Sequence, residues 1–302
     1  MILLYYANRA EKSILDPVKS SLDRHGLENM YIDLSELVEN IEEDKNLSRV
    51  YDTVFEQVTE IKDCKCAIVI GDRREIMFAS LALFVKNVPI VQLAAGDLSE
   101  KISLVDDYFR HLITILSSLQ VGFTEKSKIK SDDILKTLNL KQRSAYFPNP
   151  TLSDINVKDN SSEKEKYDLI LVHPQSLSAT GTRSDATEVL KHFDSKKRTI
   201  VIKGNKDKNY EILYSLWEIL EASEFVTVSE NMEKEEFIKV LANCDRFITN
   251  SSCAFYEAPI FLKNDKIHHI GSRNKNRETA NYKLEDVKSS DKIVDFILRG
   301  LL

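Results

Sequence analysis

Short apolar runs alternate with longer amphipathic segments along the whole chain. In the first half, the runs with the composition of strands are MILLYYA, CAIVIG and PIVQLA, and the helical segments are residues 10–24, 74–87, 106–119 and the short DILKTLN. Strands that are apolar throughout are typical of parallel sheets buried on both faces, and a helix after each strand supplies the cover. The pattern therefore predicts an α/β fold.

The second half repeats the alternation. Its predicted strands are YDLILVHP, RTIVIKG, EFVTVSE, DRFITNSS and KIHHIG, and its predicted helices cover residues 184–194, 210–222, 233–243, 253–262 and 291–301. The most polar stretch, residues 154–167, has the composition of a linker. We therefore place a boundary near Pro150 and predict two Rossmann-like domains, residues 1–150 and 151–302, that face a cleft. The last helix can pack back on the first domain.

The composition narrows the class of function. The 302 residues carry a formal net charge of −6, and the pI is about 5.7. A general binder of nucleic acid or of a membrane surface needs a basic face, so neither partner is expected. No apolar run approaches the ~20 residues that span a bilayer. The N-terminus has no basic region before its apolar run, so we expect a cytoplasmic protein. The four cysteines form no CxxC pair, which argues against a metal site.

Polar residues follow the ends of the predicted strands, where ligands bind in doubly wound sheets. The segment NSSCAFYEAPIF places the hydroxyls of Ser251 and Ser252 at a helix start, whose N–H groups favour anions. A polar cap without a ligand explains the same segment. The second half therefore resembles a diphosphate or nucleotide binder, although it has neither GxGxxG nor GxxxxGK[ST]. The candidate cations and donors at strand ends are Arg9, Arg73, His173, Arg273 and Arg277.

The candidate acids lie in the first half. Asp72 ends a buried strand, and Asp106 and Asp107 open the helix DDYFRHLITILS, one turn before Arg110 and His111. One interpretation is a carboxylate constellation for proton transfer. The alternative is helix capping by the two aspartates together with an exposed intrahelical ion pair to Arg110, which contributes only ~0.3–0.5 kcal/mol.

Nine segments together resemble the UDP-N-acetylglucosamine 2-epimerases. They span residues 8–279 in the order of that family and are NRAE, GDRRE, QLAAGD, DDYFRHLITILS, FPNP, VHPQS, GNKD, NSSC...EAP and IGSRNKNRET. The segments GDR, DDYFRH and GSRNKNRET are more similar to the hydrolysing branch, which releases UDP and N-acetylmannosamine. The resemblance implies the two-Rossmann GT-B fold, a UDP-N-acetylated sugar as substrate, no cofactor, a homodimer, and a role in amino-sugar metabolism such as sialic acid biosynthesis.

The resemblance also implies roles for individual residues. Glu257 would hold the ribose hydroxyls, and the arginine loop that contains Arg273 would close on the nucleotide. The acids that handle the C2 proton would be Asp72, Asp106 and Asp107, in an anti elimination of UDP to a glycal followed by hydration. The family's nucleotide contacts correspond to Arg9, His173, Asn205, Ser251, Ser252, Glu257 and Arg273.

This chain departs from the family pattern at the segment QLAAG. Gln92 replaces a histidine, and Ala94 stands where the family has a catalytic glutamate. Asp97, three residues further on, is the nearest carboxylate that could compensate. The chain is also several tens of residues shorter than is usual in the family. Three functions stay open: a hydrolysing 2-epimerase, a non-catalytic nucleotide-sugar binder, and a GT-B glycosyltransferase.

Overall fold

The chain forms two compact units in a computed structural model. Unit 1 comprises Met1–Asp154 with Tyr282–Leu302, and unit 2 comprises Ile155–Asn281. The domain boundary expected near Pro150 stays a prediction, and the linker residues 154–166 lie outside the described residues. The structure describes residues 1–35, 47–61, 63–98, 105–141, 143–153, 167–175, 178–204, 208–275, 277–281 and 288–301.

Unit 1 is built on a parallel sheet. Its described strands are β1 (Ile2–Tyr6), β2 (Asn29–Asp33), β3 (Cys66–Ile70), β4 (Ile90–Leu93), β5 (Leu119–Gly122) and β6 (Ser144–Tyr146). They pair in the order β2-β1-β3-β4-β5-β6. The helices are α1 (Arg9–Arg24), α2 (Leu47–Glu60), α3 (Arg74–Val85), α4 (Val105–Leu116), α5 (Glu125–Thr137) and the last helix of the chain, α11 (Ser290–Leu301). Every residue of β3 is buried, as expected for an interior strand of a parallel sheet.

The last helix belongs to unit 1, where it packs against α1. Ile293, Val294 and Ile297 are buried on α11. Asp291 accepts hydrogen bonds from the Ser21 hydroxyl at 2.5 Å and from the Arg24 guanidinium at 2.7 Å. Residues from the end of the chain therefore complete the packing around its first helix.

Unit 2 is built on a second parallel sheet. Its described strands are β7 (Asp168–Val172), β8 (Thr199–Lys203), β9 (Val226–Ser229), β10 (Arg246–Thr249) and β11 (Ile267–His269), in the order β11-β10-β7-β8-β9. Its helices are α6 (Ala179–His192), α7 (Tyr214–Glu221), α8 (Lys234–Asn243), α9 (Cys253–Tyr256) and α10 (Ala258–Phe261). Trp217, Val172 and Ile248 lie in its core. The predicted α/β class with two parallel sheets is confirmed.

Some predicted elements are wrong in their bounds. The short helix predicted over DILKTLN is α5, which begins at Glu125 because Thr124 and Ser127 form a capping box there. The helix predicted over 106–119 ends at Leu116, and Leu119 opens β5. The helix predicted over 253–262 is two short helices, α9 and α10, separated at Glu257. In the described ranges, no helix is long and apolar enough to cross a membrane.

Candidate active site

A buried arginine organises the carboxyl edge of the unit 1 sheet. Arg110 lies on α4 and is only 2% exposed. Its guanidinium donates to the Asp72 carboxylate, to Asp107 Oδ1 at 3.1 Å and to the backbone carbonyl of Asp97 at 2.5 Å. Three predicted site residues from separate segments thus meet at Arg110, and we call this set the Arg110 cluster.

The Arg110 cluster depends on how α4 is fastened to β4. Gln92 on β4 is fully buried; its amide nitrogen donates to the Arg110 carbonyl at 3.0 Å, and its amide oxygen accepts from the Thr114 hydroxyl at 2.7 Å. The residue that departs from the family's histidine therefore has its amide nitrogen and oxygen both bonded to α4. It holds α4 in the position from which Arg110 reaches Asp72.

The loop after β4 has two residues with left-handed backbone. Ala94 has φ +58° and Gly96 has φ +70°. A methyl group on Gly96 would lie 1.9 Å from the Ser127 carbonyl oxygen of α5, so only glycine fits there. Asp97 follows as a buried residue, and its Oδ1 accepts the Leu98 N–H at 3.1 Å. Ala94 itself contributes only a methyl group at the position where a proton-transfer residue was expected.

Glu11 is a site candidate that the sequence interpretation did not select. It follows β1, is 6% exposed, and accepts the Ala7 N–H at 2.7 Å. Burial raises the pKa of its carboxyl from 4.5 to about 7, while the Ala7 N–H and Arg73 act in the opposite direction. Its place in the segment NRAE, in the first turn of the helix that follows β1, was the signal that could have identified it.

The other predicted residues of unit 1 lie outside the Arg110 cluster. Arg9 is an exposed residue in the first turn of α1, and Arg73 donates to the buried Glu75 carboxylate at 3.3 Å. Both ring nitrogens of His111 are buried without a hydrogen-bond partner among the described residues. Burial, with Arg110 and Lys130, lowers the pKa of His111 to about 4. The Asp106 side chain lies outside the described part of α4.

In unit 2, the Asn250 side chain joins the ends of β10 and β7. Its Oδ1 accepts the His173 N–H at 2.8 Å, and its Nδ2 donates to the His173 carbonyl at 2.8 Å. Nδ2 also donates to Asp185 on α6 at 2.9 Å. The Asn250 carbonyl accepts from the Asn274 side chain at 2.6 Å, which attaches the arginine loop to the same point. Sequence reasoning missed these partners, because each is a common surface residue type and the three segments are far apart in sequence.

The predicted nucleotide contacts lie beside this junction. Burial and the nearby Arg273 charge lower the pKa of His173 to about 3, so its ring is neutral at pH 7 and can bind by hydrogen bonds. Arg273 donates to the Pro174 carbonyl at 3.1 Å. Arg277 donates to Asn274 Oδ1 at 2.7 Å and to the Tyr256 hydroxyl at 2.9 Å, so part of its role is to hold the loop.

Glu257 is a buried acid with an unused acceptor. It is 8% exposed, and its Oε2 has no hydrogen-bond partner in the described ranges. Burial raises its pKa to about 7, opposed by its own backbone N–H and by Lys234 and Arg277. Such an oxygen can accept from a ligand hydroxyl.

The helix that follows Ser251 and Ser252 is shorter than predicted. Ser251 Oγ accepts the Cys253 N–H at 3.4 Å and Ser252 precedes α9, which has only four residues. The single helix predicted over 253–262 is therefore wrong in length, both hydroxyls follow β10 as expected, and the anion site at Ser251 and Ser252 stays a prediction. Asn205 lies outside the described residues.

Two parallel-sheet units, each with polar side chains at the carboxyl edge of its sheet, define an α/β protein of the doubly wound class, in which ligands bind at that edge. The model of the UDP-N-acetylglucosamine 2-epimerase family matches residues 10–300. The chain therefore belongs to this family, and the resemblance inferred from the sequence is confirmed.

Individual relatives agree with this assignment. The chain is 26% identical over 260 residues to a UDP-N,N'-diacetylbacillosamine 2-epimerase (hydrolyzing) of Legionella pneumophila. The matched region covers 82% of this chain and 66% of that relative. It is 25% identical over 258 residues to a GDP/UDP-N,N'-diacetylbacillosamine 2-epimerase (hydrolyzing) of Campylobacter jejuni. Here the matched region covers 77% of this chain and 62% of the relative. The chain thus matches less than two thirds of the length of these curated relatives.

A solved structure supports the fold. The crystal structure of UDP-GlcNAc 2-epimerase from Neisseria meningitidis bound to UDP-GlcNAc has a TM-score of 0.73 to this chain, with 16% sequence identity. The likeness covers 99% of this chain and 99% of that one. The predicted GT-B-like fold is confirmed.

Proposed function

We propose that this protein is a hydrolysing 2-epimerase of UDP-N-acetylated sugars. The observation that carries the proposal is the Arg110 cluster, in which a buried guanidinium holds the Asp72 carboxylate at the end of β3. A carboxylate fixed by a charge-assisted hydrogen bond is oriented for proton transfer, the step that this family's chemistry requires. Membership of the family and the names of the two hydrolysing relatives support the same reaction.

The proposed reaction begins with elimination. Asp72 takes the proton from C2 of the sugar, a C1–C2 double bond forms, and the bond from C1 to the UDP oxygen breaks with its electron pair leaving on UDP. Water then adds to C1 of the glycal, and C2 is reprotonated from the opposite face. The sum is UDP-sugar plus water giving UDP plus the free 2-epimeric sugar, so no redox partner is needed.

Unit 2 supplies the proposed nucleotide site. Arg273 carries the positive charge that would meet the diphosphate, and the neutral His173 ring would donate or accept a hydrogen bond. The unused Glu257 Oε2 suits a ribose hydroxyl. Cationic and N–H donors around a departing diphosphate stabilise the charge that develops in the transition state. Arg9, Ser251 and Ser252 stay predicted contacts.

The names of the relatives make a 2,4-diacetamido sugar a candidate substrate beside UDP-N-acetylglucosamine. The test incubates the protein with each UDP-sugar in D₂O and follows the products by NMR. We expect free UDP and a free sugar deuterated at C2, because reprotonation draws on solvent. Asp72→Asn should lower turnover by about 10²–10⁴-fold with little change in UDP affinity. The matched control is Asp33→Asn at the end of β2, which should leave turnover unchanged.

The absence of the expected glutamate at Ala94 leaves one alternative to test, a non-catalytic nucleotide-sugar binder, although family membership does not favour it. That reading predicts an upward melting shift with UDP and no release of UDP from either sugar nucleotide. A ligand that binds only the folded state raises the free energy of unfolding by ~2.7 kcal/mol when its concentration is a hundred times Kd. Absence of both turnover and a shift with UDP or with either UDP-sugar at millimolar concentration would reject both functions.

The homodimer, the cytoplasmic location and the role in sialic acid biosynthesis stay predictions. Light scattering of the purified protein tests whether it is a homodimer.

A further inference from the structure

A buried carboxylate on α6 connects three loops of unit 2. Asp185 is 1% exposed, and its Oδ2 accepts the side-chain N–H groups of Gln175 at 2.9 Å and of Asn250 at 2.9 Å. A methyl group on Gly271, which has φ +65°, would lie 2.1 Å from Asp185 Oδ1. The same carboxylate therefore contacts the segments that follow β7, β10 and β11.

Each of these loops carries a proposed nucleotide contact. His173 lies two residues before Gln175, Ser251 follows Asn250, and Arg273 lies two residues after Gly271. Asn250, which Asp185 holds, is bonded in turn to both backbone polar groups of His173. A shift of the Asp185 carboxylate would therefore displace the loops of all three proposed contacts together.

The neighbouring acid on α6 supports the same arrangement. Glu188 lies one helical turn after Asp185 and accepts the Gly271 N–H at 2.9 Å. The start of the arginine loop is thus bonded by Glu188 and packed against Asp185. Burial raises the pKa of Asp185 and the like charge of Glu188 adds to this, while the hydrogen bonds from Gln175 and Asn250 and the charge of Arg273 lower it.

We propose that Asp185 is a positioning residue for nucleotide binding, which sets the relative placement of the His173, Ser251 and Arg273 loops without touching the ligand. This inference rests on the proposed function, since it assigns UDP to unit 2. Preorganised loops reduce the ordering cost of binding, so the loss of their common acceptor should appear mainly in UDP affinity.

The test measures the UDP Kd by calorimetry, and the melting temperature without ligand, for the full chain and three variants. Asp185→Ala removes the acceptor that the half-buried Gln175 amide and the buried Asn250 amide share, and we expect UDP to bind about 10-fold to 100-fold more weakly. Asp185→Asn keeps one oxygen that can accept from both donors, so it should retain most of the affinity.

The matched control is Asp168→Asn. Asp168 is also 1% exposed in unit 2, but it lies at the start of β7, where it pairs with Arg246 and with Lys197 Nζ at 2.7 Å. This variant should lower the melting temperature and leave the UDP Kd unchanged. If Asp185→Ala binds UDP like the parent, or if Asp168→Asn weakens UDP equally, the positioning role is refuted. A parent that does not bind UDP would instead refute the proposed function.

Discussion

Replacing Arg110 with methionine should destabilise unit 1 strongly. The substitution keeps much of the side-chain volume but removes the donors to Asp72, to Asp107 and to the Asp97 carbonyl. The Asp107 side chain is fully buried and that of Asp72 is 24% exposed, so water cannot fully replace the guanidinium. Removing one partner of a buried ion pair costs about 3–5 kcal/mol. This is a large part of the ~5–15 kcal/mol that stabilises a typical protein.

Urea denaturation followed by circular dichroism measures this loss. The matched control is Arg24→Met, because Arg24 pairs with Asp291 at 2.7 Å through side chains that are 49% and 58% exposed. An exposed pair contributes at most ~1 kcal/mol. Adding Asp107→Asn to Arg110→Met removes the buried charge that was left unpaired. The double variant should therefore lose less free energy of unfolding than the two single variants lose in sum. An Arg110→Met variant no less stable than Arg24→Met would refute the reasoning.

Three further predictions address the loop after β4 and the buried acids. If Asp97 replaces the missing glutamate, turnover should be lost in Asp97→Asn and kept or raised in Ala94→Glu; a turnover indifferent to Asp97→Asn refutes the compensation. Gly96→Ala should unfold at markedly lower temperature, because its methyl group meets the Ser127 carbonyl; an unchanged melting temperature contradicts this. Glu257 has its pKa raised from 4.5 to about 7 in the folded state, so the folded state holds the extra proton and the contribution of this group to stability falls as pH rises through that window, by up to ~1.4 kcal/mol per pH unit. Glu257→Gln removes this contribution, so the melting temperature of the variant relative to the parent should rise from pH 4.5 to 7.5.

The sequence was sufficient for the fold because local pattern and tertiary structure agree. Strands such as β3 are apolar at every residue and buried at every residue. α1 was predicted over 10–24 and runs from Arg9 to Arg24, since Asn8 supplies a cap at 2.9 Å. By contrast, β2, β5, β6 and α2 were not predicted. NMYID of β2 alternates polar and apolar residues at an edge of the sheet, and β5 and β6 have only four and three residues.

The site was only partly predictable, because its supporting residues carry no local signal. Asp72, Asp107 and Arg110 were selected, but the sequence did not reveal that one guanidinium joins them. Asp185 stands among polar residues of α6 and looks like an exposed helix acid, yet tertiary packing buries it completely against Gly271. Short sequence motifs therefore identified ligand-type side chains more readily than the groups that hold them.

The return of α11 to unit 1 has a consequence for folding during synthesis. Unit 2 is one continuous segment, whereas unit 1 receives its final helix only from the last residues described. At a synthesis rate of ~5–20 residues per second, the ribosome needs on the order of ten seconds to make unit 2. Throughout that interval the surface of α1 that contacts α11 is not covered by it. A nascent chain arrested before Ser290 should therefore expose this surface to chaperones, even when unit 2 is already complete.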